Sequence, residues 1–461
     1  MKPAKPPAQE PDGLFKTPLE RFIDMQHPLV VLAGRIDWDA LDAGIVGCFG
    51  TAGRPAVPTR FMLGMLILKA TYDLSDEAVF QRWTCDPYFQ FFSGEAYFQH
   101  RVPHERSGLS HWRNRLGADI LNAMLRESLT VAQDVGALSK HDMEVVTVDT
   151  TVQEKSVRFP TDAALLYTAL VKLGAEARAA GIKLRQSYVR VGKRAQIMAG
   201  RYAHAKQHKR MRKQLKFLRN RLGRVVRDIE RNTEGNCDKQ AAFADPLRKA
   251  RIIGEQALNR HAKPKIYSWY APEVECIGKG KARAPYEFGC KATITTTNGR
   301  AKGGMFILHA DALHGNPFDG HTLGEALKQT AALTGIIPKR AHVDRGYRGH
   351  KQNMHTPDPT SELRMRPPWR VFISGRKALK PLLAAELKRR SAVEPVIGHM
   401  KADHRMGKNH LKGRSGDRFN VKMAAIGFNF RRILKWLMAL VLWLIVSMRA
   451  NTVGSRKIAV C

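Results

Sequence analysis

The sequence predicts an α/β protein: a mixed sheet flanked by helices, with an all-α N-terminal domain before it and a basic helical insertion within it. Three observations lead there. Residues 31–140 read mainly as helices. From residue 143 onward, Val- and Thr-rich runs alternate with helical stretches, the order expected of a sheet covered by helices. Between the first strand-like run and the next lies a long segment dense in Lys and Arg, with an apolar seam at helical spacing.

Composition bounds the rest. The chain has 461 residues and is 44% hydrophobic, enough for a sizeable core. Lys and Arg number 77 against 41 Asp and Glu, a net charge of +36. An excess of this size points to a polyanionic partner, nucleic acid, without specifying any chemistry. The six cysteines (Cys48, Cys85, Cys237, Cys276, Cys290 and Cys461) are scattered, which excludes a CxxC metal knuckle and suits a reducing compartment. The opening "MKPAKPPAQEPDG" has no apolar core and is not a signal peptide. The apolar run "WLMALVLWLIV" (436–446) is too short for ~30 Å of hydrocarbon, so a buried helix and no membrane partner are expected.

Taken in order, residues 1–30 read as a loose tail. "PTRFMLGMLILKATYDL" (58–74) is an apolar helix, and Ser75 with Asp76 and Glu77 opens the next. "SGLSHWRNRLGADILNAMLRESL" (107–129) reads as one helix with Leu109, Trp112, Leu116, Ile120 and Met124 on a stripe. This unit, 31–140, either binds DNA or serves as a structural or dimerising bundle. "MEVVTVDTTV" (143–152) reads as a buried strand ending at Asp149.

The insertion, about 163–265, follows. Residues 183–231 hold 17 Lys/Arg against two acids, Asp228 and Glu230. Met211, Leu215, Leu218, Leu222, Val225 and Ile229 recur at spacings of four and three, an a/d seam with a basic outer face. That face is either a solvated helical hairpin or a surface for the DNA backbone.

Strands return at "YEFGCKATITTTNGRAKGGMFILHA" (286–310), with Asn298-Gly299 as the expected tight turn. Thr322 and Glu325 have capping-box spacing for a helix that Gly335 ends. "KRAHVDRGY" (339–347) gives a short strand ending at Asp344. The sheet and its helices are expected to run to residue 446, leaving a tail over 447–461.

Two strand-end aspartates suggest chemistry, because α/β proteins place reactive groups at strand ends. Phosphodiester transfer can use two divalent cations ~3.5–4 Å apart, held by carboxylate oxygens. The third acid is sought in "VEPVIGHMKADHRM" (393–406). At about 100° per residue, Lys401 and Arg405 fall near the face of Glu394, and Asp403 falls opposite. Taken alone, Glu394 with Lys401 reads more readily as an ordinary surface ion pair two turns apart. Pro395 is expected to start this helix with Glu394 as its cap, which leaves the facing of Arg390 undetermined. His342, His350, His399, His404 and His410 match no standard zinc spacing.

Several segments together resemble the DDE transposases of bacterial insertion sequences, in particular the insertion-sequence-five group. They are "VDTTVQEKSVRFPTD" (148–162), "NPFDGHTL" (316–323), "HVDRGYRGH" (342–350) and "VEPVIGHMKADHRMGKNHLKG" (393–413), with "HPLVVLAGRIDW" (27–38) and "SGLSHWRNRLG" (107–117) in the helical part. The resemblance covers nearly the whole chain. It implies a ribonuclease H-like catalytic domain over 141–446 and a metal triad of Asp149, Asp344 and Glu394. Mg²⁺ would be the physiological ion, two per site, with Mn²⁺ able to substitute. The family's pattern of tyrosine, arginine, glutamate and lysine is met by Arg390, Glu394 and Lys401, with Leu387 at the tyrosine position.

Lys401, Arg390, Arg345, Tyr347 and Arg405 are the expected DNA or phosphate contacts. The implied partner is double-stranded DNA, both the element's terminal inverted repeats and the target, bound by at least a homodimer in the bacterial cytoplasm at the nucleoid. The acids alone do not separate a transposase from a metal-dependent nuclease or resolvase of the same fold. A non-catalytic DNA-binding derivative is the third possibility.

Overall fold

The computed structural model describes residues 17–45, 47, 57–278, 280, 285–350, 368–375 and 379–456, with side chains to residue 443. These form two compact units. The first comprises residues 1–154 and 290–461, the second residues 155–289.

Among the described residues the first unit opens on a 3-10 turn (Leu19–Arg21) and continues with seven α-helices: α1 (Pro28–Arg35), α2 (Trp38–Ile45), α3 (Thr59–Thr71), α4 (Asp76–Cys85), α5 (Pro87–Phe92), α6 (Ser107–Arg115) and α7 (Ala118–Asp134). Strand β1 (Val145–Glu154) closes this stretch. Within 17–30 the expected tail is instead packed: Leu19, Ile23 and Val30 form a small buried cluster. Ser75 caps α4 as expected, its Oγ accepting from the Ala78 N–H at 3.0 Å. The stripe from Leu109 to Met124 is buried but belongs to two helices. Leu116 and Gly117 are extended and break it, and Gly117 becomes the N-cap of α7.

The second unit is a helical bundle of α8 (Asp162–Ala179), α9 (Val189–His204), α10 (His208–Thr233) and α11 (Cys237–Gln256). Strand β2 (Glu275–Gly278) then pairs antiparallel with the start of β3 (Tyr286–Thr297). The apolar seam is real. Leu218, Leu222, Val225 and Ile229 of α10 are buried in the bundle core with Leu166, Leu170 and Phe243, and Met211 and Leu215 pack at its margin. Both acids of the basic segment are consumed internally. Asp228 is buried and accepts from the Arg185 N–H at 2.8 Å and from Arg231 at 3.2 Å, and Glu230 pairs with Arg251.

In the first unit the rest of β3 continues the sheet with β4 (Ile307–Leu313), β5 (Arg340–Val343) and β6 (Arg370–Ile373), in the order β4-β3-β1-β5-β6. β3 and β4 are antiparallel, whereas β1, β5 and β6 are mutually parallel, so the sheet is mixed. Helix α12 (Asp319–Thr334) lies between β4 and β5 in sequence. After β6 come α13 (Pro381–Arg389), a 3-10 turn (Arg390–Ala392), α14 (Val393–Asp403) and the long α15 (Gly413–Arg456).

Several boundaries differ from expectation. β1 does not end at Asp149 but runs five residues further, to Glu154. Asn298-Gly299 does not make a two-residue turn, since β4 resumes only at Ile307. Asn298 is buried and donates to the Thr147 hydroxyl at 3.0 Å and to the Glu386 carbonyl at 3.1 Å. α12 starts three residues before Thr322, which bonds back to the Asp319 carbonyl instead of capping, and Gly335 ends it in the left-handed conformation as expected. α15 continues to Arg456, so the expected tail over 447–461 is helical as far as that residue, and residues 457–461 lie outside the described ones. Among the described residues no helix is long and apolar enough to cross a membrane.

One apolar core joins the N-terminal helices, the sheet and α15. Its tightest point is Gly427 of α15, where a Cβ would stand 2.4 Å from the Ala70 carbonyl oxygen at the end of α3. No side chain fits that gap without moving a helix. Gly427→Ala is therefore expected to lower stability by about 1–3 kcal/mol or more through overpacking. Gly398→Ala, in α14 with open space around it, should instead stabilise by about 0.5–1 kcal/mol from helix propensity. Denaturant melts of the two variants beside the parent check the contrast, and equal midpoints would refute it.

Candidate active site

β1 and β5 run parallel with Val145 beside Arg340 and Thr147 beside His342. Asp149 lies on β1 two residues past this pairing, and Asp344 lies one residue past β5. Two carboxylates are thereby brought to the same side of the pair, just past the segment where β1 and β5 are hydrogen-bonded. Asp344 also caps the 3-10 turn Arg345–Tyr347, accepting from the Gly346 N–H at 2.8 Å.

A third acid joins them, and it is Asp319, which sequence reasoning missed. It is the first residue of α12. Its Oδ1 accepts from the Thr150 hydroxyl at 3.0 Å and from Lys291 Nζ at 3.1 Å. Asp319 and Asp344 both close on Gly346, where a Cβ would stand 3.0 Å from Asp344 Oδ1 and 3.3 Å from Asp319 Oδ2. Its signal was in view: Asp319 is the acid of "NPFDGHTL", and Lys291 is the one charge inside the run "CKATITTT". Starting α12 at Thr322 had left Asp319 in a loop.

The electrostatics follow from burial. Asp149 has 15% side-chain exposure. Burial is the largest influence on its carboxyl; Asp344 and Asp319 raise it further, the Thr150 N–H and Arg390 oppose, and the net result is about 6. Tyr347 is fully buried beside this cluster. Burial, then Asp149, Asp319 and Asp344, push its hydroxyl well above the usual tyrosine range, with a contact to Thr150 acting the other way. Tyr347, expected as a DNA contact, is thus closed off from solvent in this structure.

Glu394 stands apart, with 67% side-chain exposure. Between it and Asp149 lies Arg390, whose Nη1 is 3.3 Å from Asp149 Oδ2 and whose Nη2 is 3.5 Å from Glu394 Oε1. The helix begins at Val393, not Pro395. The 3-10 turn keeps the backbone helical through 390–392, so Arg390 sits one turn before Glu394 and faces it. Pro395 is tolerated because it falls in the first turn, where N–H groups have no helical partner.

α13 is braced from below. Arg340 makes a two-pronged bond to Glu386 at 2.9 and 2.8 Å, and buried His342 meets the same carboxylate at 3.0 Å.

The remaining expected contacts divide. Lys401 stays on α14, in the helical turn after Gly398. Arg345 is exposed, its guanidinium against Gly375. Arg405 does not share the Glu394 face. α14 ends at Asp403, Arg405 is left-handed (φ 61°), and its guanidinium meets Asp73, with 3.4 Å to the carbonyl oxygen. Asp403 pairs with His399 at 2.9 Å, away from the acid cluster as its facing predicted.

The donor set suits a hard divalent cation, since Asp149 and Asp344 offer only oxygen and repel one another without one. Mg²⁺ is commonly held by one or two carboxylates together with substrate phosphate and water. Among the described residues no three His, Cys, Asp or Glu side chains are grouped closely enough to hold a metal by themselves. The expected triad of Asp149, Asp344 and Glu394 is therefore not assembled in this conformation.

Comparison with known proteins bears on the class. The family described as "Transposase domain (DUF772)" matches residues 17–115. A Rhizobium meliloti protein named "Uncharacterized protein ORF8 in nfe locus" is 44% identical over 207 residues, which is 45% of this chain and the whole of that protein. No solved structure matches. The chain belongs to the same family as this Rhizobium protein, and its match to a transposase domain lies in residues 17–115.

The raised carboxyl of Asp149 has a consequence for stability. A folded-state value of about 6 against 3.8 means that stability falls as pH rises between them and stays reduced above. Asp149→Asn removes that loss. In EDTA at pH 7.5 the variant is expected to be more stable than the parent by about 1–3 kcal/mol, with the difference vanishing near pH 4. Thermal melts across this range check it, and an unchanged difference at both ends would contradict it.

Proposed function

We propose that this protein is a DDE transposase that cleaves DNA at the ends of an insertion sequence and joins the freed 3′ ends to target DNA. The observation that carries the reading is the placing of Asp149 and Asp344 side by side, each just past the segment where β1 and β5 pair in parallel, in a chain whose residues 17–115 match a transposase domain. The mixed sheet, with an antiparallel hairpin on one side of β1 and parallel strands on the other, supports a ribonuclease H-like catalytic domain.

In the first step water attacks a phosphodiester at the element end, releasing a 3′ hydroxyl. In the second that hydroxyl attacks a target phosphodiester and displaces a target 3′ oxygen. No covalent bond to the protein forms. Asp149 and Asp344 would hold Mg²⁺, which when bound supplies nucleophile activation and charge neutralisation at phosphorus. Glu394 would join them once Arg390 releases it.

The chain's own residues do the rest. Arg390, between Asp149 and Glu394, is placed to meet a phosphate oxygen, and Lys401 and exposed Arg345 would hold the flanking backbone. Lys291 and Thr150 fix Asp319, and Tyr347 keeps water from the buried side of the cluster. At least two copies, one for each element end, would act together on double-stranded DNA.

The test is incubation with Mg²⁺, DNA carrying the element ends and a supercoiled plasmid. Joined products are expected from the parent, and Asp344→Ala should lose them by at least about a hundredfold, the scale of removing a group that stabilises transition-state charge. Cleavage without joining would favour a nuclease. Full joining by Asp344→Ala would refute the assignment.

A further inference from the structure

We propose that the second unit carries a groove for single-stranded DNA, which holds the phosphates on a row of cations and stacks a base on an aromatic cluster. This goes beyond the transfer reaction and uses none of its carboxylates.

The groove has a volume of about 600 Å³ and lies along α10. Arg212, Lys216 and Arg219 line one side. Their spacings of four and three put them on one face of the helix, spread over roughly 10 Å of its length. Arg260 and Lys265 line the other side. Among the described residues none of Arg212, Lys216, Arg219 and Arg260 has a carboxylate partner. The two acids of residues 183–231 are held elsewhere, by Arg185 and Arg231 and by Arg251. Only Asp162 brings negative charge to the lining. Such a row of cations, with one acid among the described residues of the lining, suits a polyanion.

Aromatic rings make the site more than a charged surface. Tyr267 and Phe288 line the groove, and Phe159 packs edge-on to Phe288 with centroids 5.3 Å apart at 86°. Tyr267 approaches Phe288 at 5.5 Å. Phe159 nevertheless remains 66% exposed, an unusual position for a phenylalanine with no ligand on it. The segment bearing Arg260 and Lys265 is fixed. Gln256 and Ile266 exchange two hydrogen bonds of 2.9 Å, and Lys265 Nζ donates to the Arg260 carbonyl at 2.7 Å.

Cations beside exposed rings are what a single strand needs, because each unpaired base offers a π-face and each nucleotide a phosphate. A duplex offers phosphates but keeps its bases stacked inside, where Phe159 cannot reach them. That difference selects the single strand as the occupant.

The test uses the full-length protein in EDTA with a single-stranded oligonucleotide of about 15 nucleotides containing 2-aminopurine, beside its duplex. The single strand should bind more tightly, and its fluorescence should be quenched on stacking. Phe159→Ala should remove the quenching and weaken single-strand binding by about tenfold, with duplex affinity unchanged. Arg212→Ala with Lys216→Ala and Arg219→Ala should flatten the slope of log affinity against log salt by about 2. Equal single-strand and duplex binding, retained quenching in Phe159→Ala or an unchanged salt slope would each overturn the proposal. Asp344→Ala should bind the oligonucleotide as the parent does, so failure here and failure of the catalytic reading are distinguishable.

Discussion

The approach of α15 to α3 at Gly427 is the constraint on which the first unit depends. With backbone atoms of Ala70 2.4 Å from where a Cβ would sit, the helices are as close as two backbones can come. That closeness turns α15 into a spine between the N-terminal helices and the sheet. Two buried polar residues then fix its rotation. Lys422 donates to Asn122 of α7 at 2.7 Å and to the Ala310 carbonyl of β4 at 3.2 Å. Asn429 exchanges bonds of 2.9 Å with Ile307 of β4 and donates to Ser128 of α7 at 3.0 Å. A buried ammonium or amide left without these partners would cost several kcal/mol, by an estimate of about 1–3 per unsatisfied group and more for a charge. Only one register of α15 satisfies both residues.

The site inherits its character from that packing. With α15 holding β4, and β4 paired to β3, the strand bearing Asp149 is covered on both faces and its carboxyl loses water. The raised value of about 6 is therefore a product of the fold before it is a property of catalysis. The Glu386 brace from Arg340 and His342 acts on the other side. It ties α13 to β5, and the 3-10 turn that follows delivers Arg390 to the gap between Asp149 and Glu394.

Much of this was legible in the sequence, and the failures have physical causes. Apolar periodicity located α10 and the alternating strands β3 and β4 because burial imposes it directly, whereas α3, buried all round, was read from a continuous apolar run. Asp344 was found because a short strand ends in an acid, and Asp149 because Val and Thr surround it. The turn at Asn298-Gly299 was misread because local turn propensity cannot see that Asn298 is needed inside, on Thr147 and Glu386. Asp319 was missed because a helix start was assigned from the better-looking capping pair at Thr322. Arg405 was misplaced because periodicity was carried past the end of α14. Nothing in the sequence announces that Arg390 bridges two acids, since the 3-10 turn that aims it has no separate signature.

That bridge sets the order in which the site can be filled. A guanidinium and a divalent cation seek the same lone pairs on Asp149, and Arg390 already holds Oδ2. Half-buried carboxylates without a cation repel, and Arg390 offsets part of that repulsion at Asp149. It also explains why Glu394 is exposed, because the arginine that draws it keeps it from closing on Asp149. On the proposed reading, a phosphate entering with a cation would change both terms at once: the cation would neutralise the acids, and the phosphate would offer Arg390 a two-pronged partner in their place. On that reading, a site arranged this way would be only partly compensated by Arg390 when empty and would complete its acid set when substrate and cation arrive together.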